Sequence, residues 1–594
     1  MNHFYIDKST NTFADELLTA GFVELLRELL NQQGVPNPHI VQEDQGYAYS
    51  LTCEPPLDMA QVTESKRPFF PAVIVQTNKN KAKLPADLPS HALVHYEAER
   101  DKRKQFFEAR NALKKTSTKA ETASEAQAAL DALPPPPHPD WDIFRMINPA
   151  ALIGYNGLMK QWFTIVSAEK QGRIYGELCQ FFSQTPNDID TLRTTWRTIA
   201  KEQGWKLTNA TASQFYNPSQ GKGINKLQPN GVGLGNQKNV WLLEWLKAVG
   251  FYKIAFTRTM QGAGDRKTYV PVYGRMTPSF ADDVYRDFKQ KMIFSETAVR
   301  SDILIVLRYL QTFLEKTEQA QAEGEEEREL RALLGDEYTP ADFMHGFHVA
   351  FYKDLGNAVT TMNLSFLNLP GWVHIQQEED VQVYIEILQE HEQIVRQFTE
   401  NKGEEIELLQ RYRDFIAADH LDPFYEFTTA YSSWLISQGE KSGFPPRKFT
   451  THNIRRLLVS TQPQLSKILE SSGFINIAYA IRQSTVVAQY RKAQEDRRYN
   501  VRYGLGRDLV RQSQYPDEFI AALSDFLHKY NAENAQVMET RPKPYRKSVK
   551  TSDIQDILAL IDEYGSDLIA KLLVAYGYAR EPRHQEDRKE NETQ

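Results

Sequence analysis

Cysteine is scarce in this 594-residue chain, which contains only Cys53 and Cys179. Two cysteines exclude a disulfide framework and a cysteine-based zinc site, and they fit a reducing compartment, so we expect a cytoplasmic protein. No uninterrupted run of about 18 apolar residues occurs, so neither a membrane span nor a membrane partner is expected. The first residues show no basic stretch followed by an apolar one, so no signal peptide is expected.

The motifs of nucleotide-binding sites are also missing. A phosphate-binding loop requires Ser or Thr after its Gly-Lys pair, but Gly221-Lys222 is followed by Gly223. Tyr216 stands where that motif needs its first glycine. The G-x-G-x-G pattern of Gly231–Gly235 departs from the dinucleotide-binding pattern. A nucleotide-hydrolysing site is therefore not expected in this region.

Metal and nucleophile motifs are equally absent. His345 and His348 form an H-x-x-H pair, but the chain contains no H-E-x-x-H, no His-Asp dipeptide and no G-x-S-x-G. One pair supplies only two of the three or four ligands of a zinc site. With Phe347 and other aromatic residues nearby, we interpret the two histidines as part of a packed helix face. We therefore expect no metal, no cofactor and no enzymatic activity.

Charge is distributed unevenly along the chain. The net charge is -7, yet residues 441–550 contain 20 Lys and Arg against 9 Asp and Glu, a local excess of +11. Tyr490, Tyr499 and Tyr503 lie among these basic residues, and aromatic rings can stack on unpaired bases. We predict a nucleic-acid-binding region, the alternatives being a solvated helix face or an interface with an acidic neighbour. Its candidate contacts are Arg455, Arg456, Arg491, Lys492, Arg497, Arg498 and Arg502.

A second candidate region is the segment from Gln214 to Gln237. It contains five glycines, two prolines, four asparagines, four glutamines and two lysines, which predicts a long loop. Amides can read base edges, lysines can hold phosphates, and glycines let a backbone enter a narrow groove. The alternative is a mobile surface loop. The candidate nucleic-acid contacts are Asn217, Gln220, Gly221, Lys222, Gly223, Asn225, Lys226 and Asn230.

Hydrophobic periodicity predicts an α+β fold. The N-terminal part reads as a mixed domain with hairpins and a helical insertion, followed by a mainly helical region and a C-terminal helix bundle. Apolar spacing predicts a helix from Thr12 to Gln33, and Asp44-Gln45-Gly46 predicts a hairpin turn. A further hairpin is predicted from strands at Phe251–Thr259 and Lys267–Tyr273, and two helices are expected around Gly154–Gly157.

These patterns suggest four segments. Residues 1–296 form the N-terminal α+β domain, with a helical arm at about 95–133 and the loop 214–237. Residues 297–440 form a helical middle region, since the pattern is helical from Thr297 nearly to the end. Residues 441–579 form the basic bundle, and the polar residues 580–594 are expected to be a disordered tail.

The loop and the residues after it resemble a known family. The loop contains Y-N-P-S-Q-G-K-G-I-N-K-x-x-x-N-G and is followed by W-L-L-E-W-L-K-A-V-G-F-Y. With an α+β N-terminal domain and a basic helical C-terminus, the chain resembles the large subunit of type I CRISPR surveillance complexes (Cascade), nearest to the I-B or I-A kind. The basic bundle resembles the small subunit of such complexes.

The resemblance implies a non-catalytic role in RNA-guided DNA recognition. Such a subunit recognises the motif flanking the DNA target, supports guide–target pairing, binds the displaced strand and recruits an effector nuclease or a transposition partner. Its expected partners are the guide CRISPR RNA, target double-stranded DNA with its displaced strand, the backbone and small subunits, and a helicase-nuclease or transposition adaptor. Two other classes stay open: a helical scaffold that binds only proteins, and a nuclease with dispersed carboxylates.

Overall fold

The chain forms two compact units. The computed structural model describes residues 1–116, 132–146, 152–205, 215–216, 240–261, 264–294, 296–320, 334–335, 337–354, 359–441, 446–540 and 546–581. The first unit comprises Met1–Glu296 with Ala341–Leu367, and the second comprises Thr297–Pro340 with Asn368–Gln594. The described elements confirm the predicted α+β class, with helix far exceeding strand.

Strands occur in the first unit, where they form three small sheets of order β1-β3-β2, β4-β5 and β6-β7-β8-β9. Their bounds are β1 His3–Asp7, β2 His39–Asp44, β3 Ala48–Glu54, β4 Ile74–Gln76, β5 Leu93–His95, β6 Phe256–Thr259, β7 Arg266–Tyr273, β8 Met344–Asp354 and β9 Val359–Asn368.

Helices alternate with these strands along the first unit. They are α1 Phe13–Gln32, α2 Met59–Glu64, α3 Tyr96–Thr116, α4 Trp141–Met146, α5 Leu152–Ser167, α6 Gln171–Phe181, α7 Ile189–Glu202, α8 Trp241–Ile254 and α9 Pro278–Lys291. Two single 3-10 turns, Lys81–Lys83 and Ser90–Ala92, lie between β4 and β5.

The second unit is helical throughout its described part. Its helices, with the short α11 that precedes β8, are α10 Ala298–Ala320, α11 Pro340–Phe343, α12 Glu378–Val395, α13 Gly403–Ile416, α14 Asp422–Lys441, α15 Thr451–Thr461, α16 Ser466–Glu470, α17 Ser472–Ser484, α18 Val486–Ala493, α19 Leu505–Gln512, α20 Pro516–Thr540, α21 Thr551–Tyr564 and α22 Ser566–Gly577. A 3-10 turn, Pro463–Leu465, precedes α16. None of the helices in the described ranges combines the length and apolar character that a membrane span requires.

Helix α1 is the central helix of the first unit. Its predicted start is confirmed, since the Thr12 side chain accepts a hydrogen bond from the backbone N–H of Ala14 and caps the helix. Its apolar residues are buried against α8, which is almost fully buried itself. The two helices cross at glycines: a Cβ on Gly250 would overlap the carbonyl oxygen of Leu17. The close approach of the α1 and α8 backbones therefore depends on the lack of a side chain at Gly250.

Replacing Gly250 with alanine is expected to destabilise the first unit by about 1–3 kcal/mol, because an added methyl group must push α1 away from α8. The matched control is Gly157→Ala on α5, where nothing lies within 4 Å of the added Cβ. That change should be neutral or stabilising, since alanine stabilises a helix more than glycine does. Thermal unfolding followed by circular dichroism measures both variants. Equal melting temperatures for the two variants would show that α1 and α8 do not need a glycine where they cross.

The hairpin predicted around Gly46 is confirmed. Strands β2 and β3 pair antiparallel, with Asp44 opposite Tyr49, and Gly46 has a φ of 84° in the turn between them. Such a positive φ favours glycine. Strand β1 pairs with the other edge of β3, so the order is β1-β3-β2. The second predicted hairpin, β6–β7, is also antiparallel, although α8 extends to Ile254 and shortens its first strand.

The prediction of helix throughout the region after Thr297 was wrong at β8 and β9. Residues Met344–Asp354 form a strand that pairs with β7 along nearly its whole length, so His345 and His348 lie on a strand and not on a helix face. The segment is rich in aromatic residues, which suit a sheet as well as a helix. Pairing with β7, a strand about 80 residues earlier in the chain, makes this segment a strand and not a helix.

The expected break at Gly154–Gly157 was also misplaced. Helix α5 runs through both glycines and ends at Ser167. The chain turns instead at Glu169, whose φ is 53°, before α6 begins at Gln171. The burial of Trp162 explains why the helix continues: its ring stacks on that of Trp245 of α8, with centroids 3.9 Å apart. Packing thus outweighs the helix-weakening effect of the glycines.

Candidate nucleic-acid interface

The eight candidate residues of the Gly- and Asn-rich loop lie outside the described residues. They are Asn217, Gln220, Gly221, Lys222, Gly223, Asn225, Lys226 and Asn230. The described residues on either side are buried: Phe215 and Tyr216 before the segment, and Val240 and Trp241 after it. The guanidinium of Arg266 lies over the Phe215 ring, 5.4 Å from its centroid. Both flanks of the segment therefore belong to the core of the first unit.

Part of the predicted basic set lies on one short stretch of the second unit, residues 490–503. We call Tyr490, Arg491, Lys492, Arg497 and Tyr503 the basic-aromatic surface; they lie on the last turns of α18 and on the connection to α19. Tyr490 is 53% exposed and Tyr503 44%. Lys492 Nζ donates to the Tyr503 hydroxyl at 2.8 Å. The Lys492 ammonium thereby lies next to the exposed Tyr503 side chain.

Two of these cations form no ion pair with any side chain in the described part of the chain. Arg497 is exposed, and no acidic side chain in the described part of the chain pairs with it. Arg491 is half-buried and acts on Asp496 through its charge without forming a close ion pair. Cations without an intramolecular counter-ion keep their charge available for a phosphate. They are the strongest candidates for backbone contacts in this surface.

Arg498, in contrast, is held by its own loop. Its Nε donates to Asp496 Oδ1 at 2.7 Å and its Nη2 to the other carboxylate oxygen. The hydrogen bonds from Arg498 are the main reason why the pKa of Asp496 falls to about 2. The pair shapes the connection between α18 and α19, and a phosphate would have to displace a forked carboxylate to reach this guanidinium.

Arg502 belongs to a partly buried network. Its Nη2 lies 2.5 Å from Glu533 Oε1, and the other oxygen of Glu533 is 2.8 Å from Arg546 Nη2. The Arg546 guanidinium stacks on the Tyr499 ring at 3.7 Å from its centroid, and Tyr499 is only 7% exposed. The interpretation of Tyr499 as a base-stacking residue is therefore wrong, because arginine already covers its ring.

Arg455 and Arg456 lie on another helix, α15. They line a groove of about 540 Å³ together with His374, Gln376 and His452. Each arginine is ion-paired on the surface, Arg455 with Glu470 and Arg456 with Glu386. Exposed ion pairs of this kind contribute little to stability, so a phosphate can replace the carboxylate at small cost.

Because His452 lines this groove, its lining is not purely cationic. Burial lowers the pKa of its imidazole, and the charge of Arg456 lowers it further. The ring is therefore neutral at physiological pH and offers both a donor and an acceptor. Its spacing of four residues from Arg456 on α15 could have shown that the two share a helix face.

Other residues of these surfaces gave no usable signal in the sequence. Glu533 meets Arg502 from 31 residues away, and His374 meets the α15 groove from a separate segment more than 70 residues earlier. Local spacing carries no information on such contacts. Within the described ranges, no group of three or more His, Cys, Asp or Glu has the arrangement of a metal site.

Comparison with known proteins adds no assignment. A scan against protein-family models gives no match, and a search of curated proteins finds no significant similarity.

Proposed function

We propose that this chain is a nucleic-acid-binding subunit and that the basic-aromatic surface contacts an unpaired strand. Two observations support the proposal: Arg491 and Arg497 form no ion pair within the described residues, and the rings of Tyr490 and Tyr503 in the same stretch are exposed. Single strands are bound by cations that follow the backbone and by aromatic faces on which bases stack. The ion pairs of Arg498 and Arg502 support the loop that carries these groups.

The resemblance in sequence extends this proposal to a particular assembly. The chain acts as the non-catalytic large subunit of a CRISPR RNA-guided surveillance complex, in which guide pairing reads the target sequence. The loop containing Asn217 to Asn230 reads the motif that flanks the target, and the basic-aromatic surface holds the displaced strand. The groove at Arg455 and Arg456 gives the second unit a further phosphate contact. The partners are the guide RNA, target DNA, other complex subunits and an effector nuclease or transposition adaptor.

The double variant Arg491→Ala/Arg497→Ala is expected to weaken binding of single-stranded DNA. For each phosphate that is no longer neutralised, the slope of log affinity against log salt should become shallower by about 0.7. Fluorescence anisotropy with a labelled oligonucleotide over a salt series measures both affinity and slope. Tyr490→Ala should lower affinity at every salt concentration and leave the slope unchanged, because stacking releases no counterions.

The matched control is Lys529→Ala/Lys571→Ala, which removes the same charge from two exposed ion pairs with Asp525 and Asp567. It should leave the slope as in the wild type. Equal slopes for the wild type and the Arg491/Arg497 variant would reject the surface. Failure of the whole chain to bind DNA or RNA, alone and in its native assembly, would reject the function and favour a protein scaffold.

A further inference from the structure

A small cavity lies in the first unit. Its volume is about 30 Å³, and it is bounded by α1, β2, α8, β7 and α9. Most of its lining is apolar, with contributions from Val23, Ile254, Pro271 and Met276. A volume of this size admits a group about as large as one water molecule. The cavity is thus matched to the head group of a ligand and not to a large molecule.

Three carboxylates line the cavity, and two of them already hold cations. Lys253 Nζ lies 2.6 Å from Glu24 Oε2, and Arg27 pairs with both Glu24 and Asp282. Glu16 is the third. No lysine or arginine of the described chain pairs with it. Its charge is therefore the one in the lining that lacks a permanent counter-ion.

Glu16 is buried and uses only one of its two oxygens. Oε1 accepts a hydrogen bond from the Tyr49 hydroxyl at 2.7 Å and lies 3.5 Å from His348 Nε2. Oε2 is also buried, and no described group donates a hydrogen bond to it. Leaving such an acceptor unsatisfied is costly. Burial also raises the pKa of the adjacent Asp15 to about 7, with a smaller contribution from the charge of Glu16.

We infer that this cavity binds the ammonium end of a small primary amine. One N–H of an ammonium group can donate to Glu16 Oε2, while Gln42, Glu24 and Asp282 in the same lining offer further oxygen acceptors, and the apolar lining suits the carbon next to the nitrogen. Lys253 and Asp282 of the lining are 33% and 37% exposed, so the alkyl chain would continue toward solvent on their side of the cavity. A metal ion fits poorly, because hard cations such as calcium take about six to eight oxygen ligands.

Calorimetric titration of the full chain with methylammonium and with putrescine tests this inference. Saturable binding of one amine per chain is expected. Tetramethylammonium, which has the same charge and no N–H donor, should bind at least tenfold more weakly. Glu16→Gln should weaken putrescine binding at least tenfold, since it removes the charge and keeps an oxygen for the Tyr49 hydroxyl. Glu28→Gln, on the same helix and outside the cavity lining, should change affinity less than twofold.

Ala20→Leu provides an independent variant should Glu16→Gln fold poorly. Ala20 lines the cavity, and a leucine there fills it without touching the charge of Glu16. Putrescine binding should then fall at least tenfold, with circular dichroism reporting that the helices are intact. Absence of saturable binding with either amine would overturn the site and leave water as its occupant. Equal affinity in the wild type and both variants would overturn it as well.

Discussion

Replacing Arg546 with methionine is expected to lower the free energy of unfolding of the second unit by about 2–4 kcal/mol, because Glu533 Oε2 and Asn534 Oδ1 each lose a buried hydrogen-bond donor, although Arg502 still pairs with Glu533. The Arg546 side chain is 0% exposed, and its Nη2 lies 2.8 Å from Glu533 Oε2. Its Nε donates to Asn534, and its guanidinium lies between the rings of Tyr499 and Tyr530. Methionine restores none of these hydrogen bonds.

Urea unfolding followed by tryptophan fluorescence measures this loss. The matched control is Arg511→Met, which breaks an exposed pair with Asp508 and should change stability by less than about 0.5 kcal/mol. The same Arg546 variant should also weaken DNA binding, because Tyr499 lies in the connection that carries Arg497 and Tyr503. Unchanged stability with Arg546→Met would show that Arg502 alone satisfies Glu533.

Elements set by local pattern were predictable from the sequence. The apolar spacing of α1 and the Thr12 cap define a helix without reference to the rest of the chain. The turn at Gly46 is equally local, since its positive φ favours glycine wherever the flanking strands pair. The start of α7 at Asp188, whose side chain accepts from the Thr191 backbone, follows the same logic.

Elements decided by distant partners were not predictable. The spacing of Phe347 and Phe351 fits a helix, and pairing with β7 makes this segment a strand. Likewise, α5 continues through Gly154 because Trp162 stacks on Trp245 of a helix far along the chain. In both cases a long-range contact outweighs a weak local preference.

The candidate interface shows the same division. Clustering of basic residues between 441 and 550 was visible in the composition, as was the proximity of Tyr490 and Tyr503 to them. The composition did not show which arginines form ion pairs within the fold. Arg498 pairs with Asp496, which is close in sequence, whereas Arg502 is engaged by Glu533 from another helix. Charge counts therefore predicted where the surface lies, and packing decides which of its cations remain available.

Acidification from pH 8 to pH 5 is expected to cost the second unit about 2 kcal/mol through His391 alone. Burial lowers the pKa of this histidine from 6.5 to about 3. Its Nδ1 is hydrogen-bonded to the Tyr412 hydroxyl at 2.6 Å, and the Phe424 and Phe449 rings pack around it. The folded unit thus keeps the imidazole neutral at pH 5, whereas the unfolded chain protonates it.

The sign of this effect follows from the lowered pKa. Stability from neutral His391 is fully present above pH 6.5 and declines as the pH falls toward 3, because the unfolded chain binds the additional proton. Urea unfolding of the wild type and of His391→Gln at pH 8 and pH 5 isolates the contribution of His391. All other titrating groups contribute equally to both proteins and cancel when the two pH-dependent losses of stability are subtracted. The variant should lose about 2 kcal/mol less than the wild type. His420→Gln, an exposed position, should behave as the wild type; an equal pH dependence in His391→Gln would show that the buried ring is already protonated in the folded chain.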